Sequence, residues 1–199
     1  MKVENSSARV GLVSSRGLKI TGTLVTLREK RMSDARNDYR WQSDPELAGL
    51  DATQPLALSF AVYLLDYSVE LRSPRFKRFP LAIDTLDGTH IGNCTIYDID
   101  EERQEAQLGI LIGDRDYWNK GYGTDAVNTM IDHIFHTTTL HRLYLKTLDW
   151  NVRAQKSFAK SCFTPTGHMK RHGHNFRMME LTREQWRQLP GRDGSQPDD

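Results

Sequence analysis

The chain has 199 residues, 38 % hydrophobic and 27 % charged, a balance that fits one domain burying its own core and excludes a disordered segment. Its 27 Lys and Arg against 26 Asp and Glu leave a formal charge of +1, so no global electrostatic case exists for nucleic acid or an anionic membrane. Two cysteines, Cys94 and Cys162, exclude a disulfide scaffold, and no apolar run approaches the roughly 20 residues that span a bilayer. The polar start carries no signal-peptide core and no lipidation motif, so a cytoplasmic location is expected.

Residues 1–17, with Asn5-Ser6-Ser7 and Ser14-Ser15, and residues 190–199, with Gly191, Gly194 and Pro197, are expected to be flexible ends around one domain over 18–189. Leu24-Val25-Thr26-Leu27-Arg28 reads as a strand. Ser33-Asp34 opens a helix that reaches about Trp41, and Asp44-Pro45-Glu46-Leu47 begins a short turn or helix. Phe60, Leu64, Leu65 and Val69 have helical spacing, which Arg72-Ser73-Pro74 ends. Strands follow over 79–84, 89–99 and 105–112, the first two joined by the Asp87-Gly88 turn signal. On the third, Ala106, Leu108, Ile110 and Ile112 share a face, and Gly109 on the other marks a bulge or a close backbone approach.

The period then changes. Ala126, Val127, Met130, Ile131, Ile134 and Phe135 form a helical stripe over 123–136. A strand over 142–148, a helix over 151–161 and a hairpin of 163–169 with 175–181 around Gly173 complete the order. The fold class is mixed α/β (α+β), with about seven strands: an antiparallel hairpin series followed by a β-α-β unit.

Chemistry concentrates between Leu108 and Ala126. A strand ends, a loop with two close glycines follows, and an amphipathic helix begins. Free N–H groups at a helix N-terminus favour an anion, Gly121 and Gly123 let a phosphate approach the backbone, and Lys120 adds a point charge. The spacing is neither that of a Walker A loop nor that of the dinucleotide fingerprint. Taken alone, the two glycines also fit an ordinary tight turn or a nucleotide-phosphate site.

Trp118-Asn119-Lys120-Gly121-Tyr122-Gly123 resembles the acyl-CoA-binding motif of the GNAT superfamily of N-acetyltransferases, R/Q-x-x-G-x-G/A. The wider string Asp116 to Thr124 is similar to the RimJ/RimL-like branch of that superfamily. Asn151 to Phe163 resembles the family's N-x-x-[AS]-x-x-x-Y-x-K-x-G-F segment, and Leu27-Arg28 followed by Asp44-Pro45-Glu46 its opening. The likeness runs from about Leu24 to Leu181. It implies a GNAT fold with a splayed parallel strand pair and acetyl transfer from acetyl-CoA to an amine by direct attack in a ternary complex, without a metal.

Carried over by that resemblance, the backbone of Leu111, Ile112 and Gly113 holds the pantetheine amides. Trp118 opens the cofactor-binding motif, the N–H groups of Asn119, Lys120, Gly121, Tyr122, Gly123 and Thr124 hold the diphosphate, and Asn151 meets the cofactor near the thioester. Asn is also a favoured helix N-cap, and the two roles are compatible. Three residues depart from the pattern. Trp118 replaces Arg or Gln and loses one side-chain phosphate contact. Cys162 replaces a glycine and suggests a different C-cap. Phe158 replaces a Tyr that protonates the leaving thiolate.

Gln107 stands where relatives often have a Glu base, so Glu105 and Asp149 become the candidates for proton removal. The acceptor is a small amine or a protein N-terminus, and the protein is expected as a monomer or homodimer without DNA or membrane partners. A non-catalytic acyl-CoA-binding module is the alternative that Phe158 and Gln107 keep open. Among weaker signals, the acidic Asp98, Asp100, Glu101, Glu102 and Glu105 fit a solvated turn or a surface that draws in a cationic acceptor. The basic Arg72, Arg75, Lys77 and Arg78 fit a helix exit or a phosphate contact. His168, His172 and His174 lack metal-ligand spacing. Trp41 and Trp150 read as packing residues, and the resemblance adds an acceptor-wall role for Trp41.

Overall fold

In the computed structural model, which describes residues 17–73, 77–190 and 192, the chain enters through β1 (Lys19–Thr21), a three-residue strand too short to show alternation. It pairs antiparallel with β2 (Val25–Glu29), and this adds an eighth strand to the seven expected. The turn between them is fixed from a distance: the amides of Thr23, Leu24 and Val25 all donate to the Asp125 carboxylate, at 2.7–3.1 Å. Helices α1 (Ala35–Ser43), α2 (Pro45–Leu50) and α3 (Phe60–Arg72) follow. Asp44 accepts the Glu46 and Leu47 amides at the start of α2, with Pro45 in the first turn where its missing N–H costs nothing.

β3 (Phe79–Thr85) and β4 (His90–Asp100) meet at the Asp87-Gly88 turn, where Gly88 takes φ +90°. Then come β5 (Glu105–Ile112), α4 (Tyr122–Thr137), β6 (Arg142–Leu148), α5 (Val152–Lys160), β7 (Thr164–Arg171), β8 (His174–Thr182) and a short α6 (Arg183–Arg187) that the sequence pattern does not announce. The sheet order is β1-β2-β3-β4-β5-β6-β8-β7, and only β5 and β6 run parallel.

α4 lays Val127, Met130, Ile131 and Ile134 over one face of the sheet, against Val25, Leu27, Ile83, Leu108 and Leu143, all fully or almost fully buried. Arg28 has the opposite parity on β2 and faces the other side. There it makes bidentate pairs with Asp34 and Asp84 at 2.6–2.9 Å, while Lys30 meets Asp38 at 2.5 Å and Tyr67 of α3 donates to the same carboxylate. Charges buried this deeply persist because each has a paired partner.

α5 ends differently from expectation. The Phe163 amide donates to the Phe158 carbonyl and the Cys162 amide to the Ala159 carbonyl, which is the Schellman pattern, and the rings of Phe158 and Phe163 touch edge to face. Cys162 therefore keeps the glycine-type cap and adopts φ +64° to do so. The expected flexible ends, apart from Gly17, Pro190 and Arg192, and Arg75 of the basic run lie outside the described residues.

Candidate active site

β5 and β6 pair over only three positions: Glu105 with Arg142, Ala106 with Leu143 and Gln107 with Tyr144. From Leu108 onward the strands part, and a cavity of about 840 Å³ opens between them. Antiparallel pairing alternates the direction of backbone groups, and the Gly113 amide donates to Ile91 on the β4 side at 3.0 Å. Ile112, Ile110 and Leu108 therefore turn their backbone groups away from β4, toward the gap. The Ile112 carbonyl is taken by the Trp118 indole N–H at 2.7 Å.

The expected Leu111–Gly113 set is thus redistributed. Leu111 and Ile112 line the cavity, whereas Gly113 does not and packs its Cα against Trp41. Leu111 and Gly113 share one strand parity, so what removes Gly113 is the Trp41 indole packed over its Cα, which no sequence spacing shows.

One end of the cavity is the start of α4. Gly121 occupies the N-cap with φ +91° and offers no side chain. The first helical bond runs from Asp125 to Gly121, so the Tyr122, Gly123 and Thr124 amides precede the ladder. A β-carbon on Gly123 would meet Ile112 at 3.5 Å and Ser157 at 3.9 Å, ordinary contacts, so the mouth has room for one carbon but not for a large side chain. The Thr124 and Ser157 hydroxyls bridge α4 to α5 at 2.9 Å. Trp118, Asn119, Gly121, Gly123 and Thr124 all line the cavity, whereas Lys120 and Tyr122 do not.

Trp118 removes one cation from the motif, and the fold returns one. The Arg153 guanidinium lies 3.4 Å above the Trp118 ring and lines the cavity, with Lys156 and Lys160 farther along α5. Burial lowers the Arg153 pKa, with the Glu46 carboxylate opposing and the Arg115 charge adding a smaller push in the same direction as burial. Arg153 lies outside the glycine motif, so its stacking on Trp118 was not legible from spacing. These residues fit an acyl-CoA: donors and cations for a diphosphate at one end, exposed strand backbone for an amide-bearing arm in the gap.

Asn151 lines the cavity and also caps α5, its side-chain oxygen accepting the Ala154 amide at 3.1 Å, so both expected roles are sterically available. Phe158 lines the cavity too and is almost fully buried.

The two carboxylates singled out from sequence lie elsewhere. Glu105 accepts from Arg142 at 2.6 Å where the strands still pair, and Asp149 lies 3.1 Å from His168; neither lines the cavity. The carboxylate that does is Asp51, just after α2, opened to the cavity by the fold of the loop and without any sequence motif. Its side chain is exposed at the cavity edge, and crowding by the surrounding protein raises its pKa, opposed by the Arg78 charge. Beside it stands Tyr97, whose ring comes within 3.0 Å of where a Gly109 β-carbon would sit: the strand glycine is the close approach, and the bulge lies on β4 after Tyr97. The Gln107 side-chain amide donates to the Tyr97 hydroxyl at 2.5 Å, which leaves the phenolic hydrogen for another acceptor. Among the described residues no group of three His, Cys, Asp or Glu is placed to hold a metal ion, and no helix is long and apolar enough to cross a membrane.

Comparison with known proteins agrees with this geometry. Residues 25–164 match the family model described as Acetyltransferase (GNAT) domain. The uncharacterized N-acetyltransferase p20 of Bacillus licheniformis is 28 % identical over 148 residues, 72 % of this chain and 80 % of that protein. The spermidine N-acetyltransferase of Vibrio cholerae, solved with CoA and spermine, superposes with TM-score 0.71 at 18 % identity over 82 % of this chain and 98 % of that one. Mycobacterium smegmatis RimJ, solved with CoA-disulfide, gives 0.68 at 22 % identity over 86 % and 88 %. With the family model covering most of the sequence and the parted β5–β6 pair in place, the chain belongs to the GNAT family of acetyltransferases and is an acyltransferase that draws on acetyl-CoA.

Proposed function

We propose that this protein moves an acetyl group from acetyl-CoA to a primary amine by direct attack, within the RimJ/RimL-like branch of the family and in the cytoplasm, as a monomer or homodimer. The observation that carries the reading is one continuous cavity that runs from the bare N-terminus of α4, through the gap between β5 and β6, to Asp51 and Tyr97. The Trp118-to-Gly123 string and the likeness to RimJ support the branch.

Acetyl-CoA supplies an activated acyl carbon on a thioester. The residues of this chain bind and orient it. The Gly123 and Thr124 amides, with Arg153, face the diphosphate; Ile110 and Ile112 offer backbone partners to the pantetheine arm; and Asn151 stands near the sulfur. An incoming ammonium first gives one proton to a base. Its nitrogen then forms the N–C bond as the C–S bond breaks, and the second proton passes from that nitrogen to the CoA sulfur. Asp51 is the base in direct reach of the cavity, while Glu105 and Asp149 act only through solvent. Phe158 gives no proton, and the Tyr97 hydroxyl offers a hydrogen bond to the oxygen or sulfur that gains charge.

Calorimetric titration with acetyl-CoA, with ATP as control, tests the cofactor site, and release of CoA in the presence of amines tests transfer. Micromolar binding of acetyl-CoA but not of ATP, with amine-dependent CoA release, is expected. Binding without release from any amine would reduce the protein to a CoA-binding module.

A further inference from the structure

The acceptor end of the cavity is electrically lopsided. On β6, Leu143 and Leu145 face the core under α4, so Tyr144 and Lys146 face the opposite side of the sheet, the side of Tyr97 and Gln107. Arg171 ends β7 on that side as well, since its partner His174 follows the parity of Phe176 and Met178, which pair with Leu148 and Lys146. Lys146 and Arg171 both line the cavity.

Among the described residues neither has a carboxylate within ion-pair distance, in a protein where Arg28, Lys30, Arg115 and Arg142 are all paired. Burial and the Arg171 charge together weaken the Lys146 ammonium, with Asp98 opposing. Two cations without ion-pair partners on one face of the sheet and lining one cavity, one of them half-buried, are stabilised by an anion placed between them. Asp51 is the opposite pole, on the loop after α2.

We propose that the acceptor carries its own anion near the amine, as an amino acid or an aminoalkyl phosphate does, with the amine against Asp51 and the anion between Lys146 and Arg171. The inference rests on the acetyltransferase reading and names its substrate class. A polyamine would bring further positive charge against two cations, and a peptide N-terminus has no carboxylate beside its amine. The cofactor's own phosphates have separate partners, Arg153, Lys156 and Lys160, on α5.

The test is CoA release by the intact protein with matched acceptors: phenylalanine against phenethylamine, O-phosphoethanolamine against ethanolamine, and spermidine and a tripeptide alongside. Arg171→Ala and Lys146→Ala are compared with the parent, and acetyl-CoA affinity is measured for each. An anionic member preferred by at least about tenfold in kcat/KM is expected, with KM for it raised about tenfold in either variant and KM for its neutral counterpart moved less than about twofold. Preference for the amino acid or for the phosphate member tells which anion is native. Equal use of neutral and anionic members, preference for spermidine or the tripeptide, or no turnover of any anionic amine would overturn the proposal. So would a tenfold loss of acetyl-CoA affinity in the variants, which would give the two cations to the cofactor. Failure of the parent protein to bind acetyl-CoA would instead strike the acetyltransferase reading. Arg171 is exposed on a hairpin, so its variant keeps the test valid if Lys146→Ala, within a strand, folds poorly.

Discussion

The Cα of Gly113 faces the indole of Trp41 so closely that a β-carbon there would lie 2.1 Å from the ring. Trp41 is almost fully buried and also meets His90, with ring centroids 4.9 Å apart, so it has nowhere to retreat. The contact fixes α1 against the end of β5, beside the cavity. Gly113→Ala is expected to cost about 1–3 kcal/mol by overpacking, measured as a lower urea midpoint at unchanged slope. Trp41→Leu in the same chain should recover part of that loss, and a strictly additive double variant would refute the contact as its cause.

Gly123 is open where Gly113 is closed. A β-carbon at 123 meets only Ile112 at 3.5 Å and Ser157 at 3.9 Å, both ordinary contacts. Gly123→Ala is therefore expected to fold normally, while Gly123→Trp, filling the mouth, abolishes acetyl-CoA binding by calorimetry. A Trp variant with parental affinity would remove the diphosphate from the start of α4.

Proton removal separates the three carboxylates. Crowding by the surrounding protein raises the Asp51 pKa, so the acid limb of the rate profile should lie above the ordinary carboxylate value of about 3.9 and activity should rise as Asp51 loses its proton. Asp51→Asn is expected to lower kcat about a hundredfold and flatten that limb. Glu105→Gln loses an acceptor for Arg142 and should leave the profile in place. A limb flattened by Glu105→Gln and untouched by Asp51→Asn would move the role to a solvent relay.

The buried charges on the far face set the acid stability. Burial alone would raise the Asp34 carboxyl, but the Arg28 guanidinium, the Arg31 amide and His90 outweigh it and hold the group below its ordinary value. A carboxyl depressed in the folded state stabilises above the unfolded value of about 3.9, and that contribution is lost as pH falls through the lower folded value. Urea midpoints should therefore decline below about pH 4. Arg28→Ala leaves Asp34 and Asp84 without their shared partner and is expected to cost about 3–5 kcal/mol at pH 7. A loss under 1 kcal/mol would show the pairs to be no better than solvated charges.

Much of this was legible in the residues. Alternation gave β5 and its core face, helical spacing gave α4 within a residue of each end, and the close pair Gly121 and Gly123 marked the start of that helix, where the cavity opens. What was not legible depends on long-range placement. β1 is too short for a pattern. Asp51 lies in a loop with no motif, and only the path of that loop brings it to the cavity. Arg153 reaches Trp118 because α5 packs beside α4. Glu105 has the right parity for the acceptor face but sits three residues before the strands part at Leu108, where β6 still pairs with β5 and Arg142 takes its charge.

Cys162 joins the family motif to backbone strain. The Schellman cap of α5 needs a left-handed residue after the helix, and the chain holds one at φ +64° with a side chain that glycine lacks. Left-handed backbone costs an L-residue about 1–2 kcal/mol, and the half-buried thiol recovers part of it by packing on the core. Cys162→Gly is thus expected to stabilise the protein by about 0.5–1 kcal/mol, and Cys162→Val to destabilise it by more than that, because a β-branched side chain fits the left-handed region poorly. Thermal melts of both variants, with acetyl-CoA affinity as a control on the adjoining Phe158 wall, measure the balance. A destabilised glycine variant would mean that thiol packing outweighs the strain.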